Sequence, residues 1–300
     1  MKLAVGPILY LWERAVALEF YAALCEAPVD IVYLGEVVCS KRRVLRREDW
    51  REVIHALEAS GKQIVHSTLA LIEAESELAT LSRIVDEAPG LFEANDYAAI
   101  TTAGGRPFVA GPHLNVYNAR TLELLVSLGA RRWVAPVELP LETVGKMVAG
   151  LPHGFEVEMF AYGRLPLAFS ARCFTARAHD LAKDECGFIC GNHPDGMTLH
   201  TREDQPFLAL NGIQTQSAAV QNLLPHVGAM RAAGVDVLRL SPQSRDFIEV
   251  ARAFRDAMDE REPRRPLPAP VLPGGYCHGY LVGEAGLSHE EHAHHAAPPR

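Results

Sequence analysis

The 300-residue chain has little aromatic content, 7% with three tryptophans, and no run approaching the ~20 apolar residues of a membrane span. Glu13 and Arg14 interrupt the apolar N-terminus before signal-peptide length develops, so the expected compartment is the cytosol. Basic charge is not in excess either: the net charge is -8, so no general attraction to nucleic acid or anionic lipid is expected. The local basic stretch, Lys41-Arg42-Arg43 with Arg46 and Arg47, reads as a solvated loop and first helical turn. Three motifs are missing: Gly-x-Gly-x-x-Gly after the first strand, Gly-x-Ser-x-Gly and His-Glu-x-x-His. A doubly wound dinucleotide fold and two familiar hydrolase signatures thereby lose their support.

What is present is a soluble globular composition, 48% hydrophobic and 22% charged. Short β-branched runs alternate with helical patterns, which predicts βα units feeding a parallel sheet. Strands are expected at Leu3-Val5, Asp30-Leu34, Gln63-His66, Ala98-Ile100, Trp133-Ala135, Phe155-Ala161, Phe207-Leu210 and Val235-Leu240, with Phe108-Ala110 a further possibility. Helices are expected over Leu11-Cys25, Asp49-Ser60 with Gly61 as its stop, Glu73-Glu87, Leu122-Leu128, Leu141-Ala149, Ala219-Ala232 and Phe247-Met258. About eight such units favour an α/β chain of (β/α)8 barrel type, possibly irregular, with a long cysteine-containing connection after strand six. The barrel is assigned to residues 1–270. A proline-rich stretch from Glu262 to Pro270 ends the last helix, and residues 271–300 form a C-terminal arm with a flexible end bearing His289, His292, His294 and His295.

In a reducing compartment six cysteines are not a disulfide framework and must be core residues, ligands or nucleophiles. Functional groups of a parallel barrel gather on the loops that follow its strands. Cys39 lies after strand two, and Cys173, Cys186 and Cys190 share the long connection, so all four belong to one barrel end. Cys186 and Cys190 would share a face if their segment makes a helical turn. The twelve residues between Cys173 and Cys186 span up to ~40 Å extended, so reach does not keep Cys173 away. Four thiolates suit structural zinc or an iron–sulfur cluster, and spacing alone does not separate them. Four unrelated buried cysteines are the alternative. Cys25, late in the first helix, and Cys277, in the arm, read as non-ligands.

The segment from Glu158 through Tyr162-Gly163-Arg164 to Cys173-Phe174-Thr175-Ala176-Arg177 resembles the signature region of the collagenase-like peptidase superfamily, and specifically its UbiV branch. Lys183-Asp184-Glu185-Cys186 with Cys190, Tyr33-Leu34-Gly35-Glu36 with Cys39, Asn211-Gly212-Ile213-Gln214-Thr215-Gln216, and Arg239-Leu240-Ser241-Pro242-Gln243 extend the resemblance over most of the chain. The superfamily often has a further cysteine just upstream of Cys173; here Pro166 stands in that neighbourhood and Cys39 comes from strand two. The resemblance implies a [4Fe–4S] cluster on Cys39, Cys173, Cys186 and Cys190. It also implies O2-independent hydroxylation of the ring of ubiquinone precursors, within a heterodimer with a UbiU-like protein and with prephenate as oxygen donor. A UbiT-like lipid-binding protein would present the prenylated quinone precursor.

Other groups expected at strand ends are Glu36, His66, Asn115, Glu138 and Asn211, with Glu158 and Tyr162 as weak catalytic candidates beside the signature. Glu158 reads equally well as a buried carboxylate paired with an arginine. Arg172 and Arg177 read as solvated. Two rival functions are a non-catalytic scaffold stabilised by its cluster and a peptidase, for which no motif assigns roles.

Overall fold

The computed structural model describes residues 1–261, 267 and 272–288. The strands are β1 (Lys2–Val5), β2 (Ile31–Leu34), β3 (Gln63–Ser67), β4 (Phe92–Ala94), β5 (Phe108–Ala110), β6 (Ala130–Ala135), β7 (Glu156–Phe169), β8 (Met197–His200), β9 (Pro206–Asn211), β10 (Gln214–Asn222), β11 (Val237–Leu240) and β12 (Tyr276–Cys277). Each of β1 to β6 pairs in parallel with the strand that follows it, and β11 pairs in parallel with both β7 and β1. The result is a closed eight-stranded parallel barrel. The helices are α1 (Arg14–Glu26), α2 (Arg47–Ala59), α3 (Glu75–Glu87), α4 (Tyr97–Ala103), α5 (Ala119–Ser127), α6 (Leu141–Val148), α7 (Phe174–Ala178), α8 (Val227–Ala232) and α9 (Phe247–Met258).

Side chains alternate across each strand, so one sequence run serves two layers. Ala4, Ile31, Tyr33, Val65, Val109, Val134 and Val237 form the inner layer, whereas Leu3, Val5, Val32, Leu34, Phe92 and Phe108 pack outward under the helices. Gly61, with φ +83°, follows α2 as expected of a helix stop.

Four expectations need correction. Ala98-Ala99-Ile100 is not a strand but the middle of α4, because the Asp96 carboxylate caps the helix by accepting the Ala98 N–H at 2.8 Å. The fourth strand is Phe92–Ala94 instead, and Phe108–Ala110 is the fifth. The cysteine-containing connection therefore follows the seventh barrel strand. Phe207–Leu210 is a strand outside the barrel wall, and residues Ala219 to Asn222, expected as helix, complete β10.

β7 is long because only its first half belongs to the barrel. Its remainder runs past the mouth and pairs antiparallel with β10, from Tyr162 opposite Asn222 to Phe169 opposite Gln214. β9 and β8 extend this annex, and β12 adds to β10 in parallel, so Tyr276 and Cys277 of the C-terminal arm join the sheet. The annex folds over the mouth: the Phe169 ring lies edge-on to His113, in the loop after β5, with centroids 4.6 Å apart. The histidine tract at 289, 292, 294 and 295 lies outside the described residues. Among the described residues no helix is long and apolar enough to cross a membrane.

Candidate functional site

Cys39 is held by a tight turn after β2. Gly35, at φ +133°, brings the backbone against Ser67, where a Cβ would come within 2.6 Å of the Ser67 carbonyl oxygen. The next residue, Glu36, accepts the backbone N–H groups of Val38 at 2.8 Å and Cys39 at 3.0 Å. Burial raises the Glu36 carboxyl's pKa, while Arg42 and these N–H groups pull it back.

Cys173 caps α7 with its sulfur, which accepts the Ala176 N–H at 3.4 Å. The short helix docks on the turn between β9 and β10, where Phe174 N–H donates to the Gly212 carbonyl at 3.0 Å and Gly212 N–H donates to Thr175 Oγ1 at 2.9 Å. The condition for Cys186 and Cys190 to share a face, a helical turn between them, is not met. Gly187 and Phe188 are both left-handed, at φ +55° and +57°, so the chain reverses between the two thiols before a 3-10 turn over Ile189–Asn192. Two lysines tie these segments together: Lys41 donates to the Lys183 carbonyl at 3.2 Å and pairs with Asp184, and Lys183 donates to the Ala171 carbonyl at 3.0 Å and pairs with Glu73. Trp12 pins the end of the connection by donating from Nε1 to the Pro194 carbonyl at 2.7 Å.

Cys173, Cys186 and Cys190 thus share the connection after β7, and Cys39 sits on the loop after β2, which Lys41 ties to that connection. Each is a free, half-buried thiol. Burial raises Cys39, to which Cys173 adds, while Arg42 lowers it. Burial likewise raises Cys190, to which Cys173 and Cys186 add, while the Arg42 guanidinium lowers it by charge and by a hydrogen bond. Among the described residues no three His, Cys, Asp or Glu side chains converge closely enough to hold a metal ion.

Arg42 is the site residue that sequence reasoning missed. It is only 5% exposed, although the basic stretch around it is solvated as expected. Its Nη1 donates to the Leu9 carbonyl at 2.7 Å and its Nη2 to Asn211 Oδ1 at 2.8 Å. Asn211 returns a bond to the same Leu9 carbonyl at 2.7 Å. One guanidinium thereby joins the loops after β1 and β2 to the annex. The signal available in the sequence was indirect: Asn211 and Gly212 lie at a turn, and any side chain at Gly212 would strike Arg42 Nη2, 2.8 Å from its Cβ position.

Glu158 and Tyr162 are not brought together. Glu158, fully buried inside the barrel, accepts the Tyr33 hydroxyl at 2.5 Å and Arg239 Nε at 2.6 Å, and pairs with Arg132 at 3.5 Å. Arg239 also reaches Glu93 at 2.7 Å and lies over the Tyr33 ring. Tyr162 points instead toward α9 and the arm, against Phe254 and Tyr276. His66 is half-buried with its pKa lowered by burial, Asn115 takes a left-handed conformation, and Glu138 accepts the Tyr117 hydroxyl at 2.9 Å. Among the described residues none of these three bonds to a cysteine loop, so they stand as local structure. Arg172 and Arg177 are exposed. Cys25 donates to the Tyr21 carbonyl within α1, and Cys277 is buried in β12 with its thiol pushed up to about 12.

The family model for peptidase family U32 matches residues 17–284. The chain belongs to peptidase family U32. Solved structures similar to this U32 chain include a U32 peptidase, at 10% identity over 81% of this chain and 93% of that one, with a TM-score of 0.45. Others are a GH18 chitinase from Pseudoalteromonas aurantia, at 10% identity over 86% and 100% of the two chains with a TM-score of 0.45, and an uncharacterized protein from Clostridium thermocellum that binds two copies of 5-methyl-5,6,7,8-tetrahydrofolic acid, at 10% identity over 86% and 94% with a TM-score of 0.43. These likenesses bear on neither substrate nor chemistry of the U32 chain.

Proposed function

We propose that Cys39, Cys173, Cys186 and Cys190 hold one [4Fe–4S] cluster, and that the chain serves in O2-independent hydroxylation of the ring of ubiquinone precursors. The supporting observation is that four free, half-buried thiols lie on the loop after β2 and on the connection that Lys41 ties to it, with Cys173 in electrostatic reach of both Cys39 and Cys190. A single zinc ion would draw its ligands to ~2.3 Å. A cluster spreads its four sulfur ligands over several irons and asks for a wider cage. The cluster would supply one-electron chemistry. The residues around it have their own tasks: Arg42 offsets thiolate charge, the Ala176 N–H faces the Cys173 sulfur, and the lysine ties hold the loops in place.

The substrate and assembly follow from resemblance to the UbiV branch. The partner would be a UbiU-like protein in a heterodimer, with a UbiT-like protein delivering the prenylated precursor and prephenate supplying oxygen. Anaerobic purification should give brown protein with about four irons and four labile sulfides per chain. Stoichiometric zinc without sulfide would end this reading.

A second reading has support in the same geometry. The connection carrying three of the cysteines contains only short helical turns and the Met197–His200 strand, so a cluster there would staple it whether or not it transfers electrons. Ligand variants that lose activity while remaining folded and partner-bound would favour the redox role.

A further inference from the structure

The buried charge of Arg42 has no matching anion. Its guanidinium is 5% exposed, and its two oxygen partners, the Leu9 carbonyl and Asn211 Oδ1, are both uncharged. Among the described residues it makes no ion pair; Glu36 feels its charge without pairing with it. Burying a cation unpaired is costly, so such a group marks a place where negative charge is expected. The surroundings say which. Arg42 N–H donates to the Cys39 carbonyl at 2.9 Å. Its Nη2 lies over Gly212, 2.8 Å from where a Cβ would stand, and the Gly212 carbonyl accepts the N–H of Phe174, next to Cys173. Its Nε is buried and has no oxygen partner, and the guanidinium donates to the Cys190 thiol.

We infer that Arg42 sets the reduction potential of the proposed cluster, acting through Cys190 as a fixed cation and N–H donor that favours the reduced state. Four thiolates outweigh the positive charge of an iron–sulfur core, and reduction adds one more negative charge to the assembly. A fixed positive charge away from water stabilises the more negative state more, and so raises the potential. An N–H bond to a ligand sulfur acts in the same direction, since it strengthens as the sulfur gains charge. The fork to Leu9 and Asn211 holds the guanidinium in place independently of the thiols, so the donor is already oriented. The inference deepens the proposed function and rests on a cluster being held there; it concerns how readily that cluster takes an electron.

The test is anaerobic redox titration of the full, iron-loaded chain, with wild type beside Arg42→Gln and Arg42→Lys. Arg42→Gln removes the charge and should raise the oxidised-to-reduced ratio at a fixed potential about tenfold or more, a fall of about 59 mV or more in the midpoint of a one-electron couple. Arg42→Lys keeps the charge and should recover at least half of that fall, although it loses the fork. A role confined to tying loops predicts instead that both variants lose iron while whatever cluster remains titrates at the wild-type potential. Pulsed electron paramagnetic resonance of the reduced wild-type cluster supplies a readout that needs no variant. In protein grown on arginine isotopically labelled at the guanidinium nitrogens, a coupling to the labelled nitrogen is expected. Arg42→Lys should abolish it, and if neither variant holds iron the wild-type coupling decides alone. Iron-loaded wild type without that coupling, or an unmoved potential in Arg42→Gln, would overturn the role of Arg42 and leave the cluster standing. Wild-type protein free of iron and sulfide after anaerobic preparation would overturn the cluster, and this inference with it.

Discussion

Arg42 Nη2 donates to Asn211 Oδ1 across 2.8 Å, joining two residues that lie far apart in sequence at the point where the cysteine loops meet. Asn211→Leu removes that acceptor and also the bond to the Leu9 carbonyl, leaving a buried guanidinium short of a partner. A loss of about 1–3 kcal/mol in urea-monitored unfolding is expected. Arg42→Lys should cost at least as much, because an ammonium cannot span both Leu9 and Asn211 in a fixed fork.

The four proposed ligands and the two remaining cysteines should separate cleanly in iron analysis. Cys25→Ala and Cys277→Ala should keep their iron, since one thiol bonds within its own helix and the other is enclosed in β12. Alanine at Cys39, Cys173, Cys186 or Cys190 should lose most of it. Iron retained in two or more of these four variants would contradict the ligand set.

Glu158→Gln should destabilise the fold strongly, by about 3–5 kcal/mol, since it strips a buried counter-charge from Arg239 and Arg132. Thermal melting reads this directly. Tyr33→Phe removes a single hydroxyl from the same network and should cost less. An unaltered melting temperature in Glu158→Gln would return Glu158 to the list of catalytic candidates.

His113 gives the fold a pH dependence. Burial pushes its imidazole down to about 4 from the ordinary 6.5, so between those values the unfolded chain binds a proton that the folded chain refuses. Stability contributed at this position is intact above pH 6.5, is lost as pH falls toward 4, and changes no further below that. Allowing for solvent at a half-buried ring, the loss should be about 1–3 kcal/mol. Denaturant midpoints at pH 7, 5 and 4 should show a smaller decline in His113→Phe, which keeps the contact with Phe169.

A one-to-one complex with a UbiU-like protein, isolated by anaerobic size exclusion after co-expression, should lose its cluster in air more slowly than the chain alone. A monodisperse monomer with equal air sensitivity in both preparations would exclude the proposed heterodimer.

The barrel was legible in the sequence because most of its strands are uninterrupted β-branched or aliphatic runs: Ile31–Leu34 is buried at every position. β4 escaped notice for the opposite reason. It is three residues long with Glu93 at its centre, and that carboxylate is admitted to the interior only by Arg239, Ser67 and Asn95, which arrive from other strands and loops. Helix α4 resembles a strand in sequence because Ala-Ala-Ile carries no period, and only the cap at Asp96 decides for a helix. The sequence places the cysteines on loops that follow strands, but it does not give their local backbone, since Gly187 and Phe188 both take left-handed conformations between Cys186 and Cys190. Arg42 was hidden among exposed arginines, and only a tertiary partner distinguishes it from them.

The continuity of β7 through barrel wall and annex has a consequence for how this chain can be cut. Residues 170–213 look like a cassette hung on a barrel, yet removing them would free the Gln214–Ser217 side of β10 from β9. β10 would then show a bare row of N–H and C=O groups, a template for pairing with other chains. A trimmed barrel is therefore expected to aggregate, and a minimal version of this protein would have to keep the annex sheet even if its cysteines were discarded.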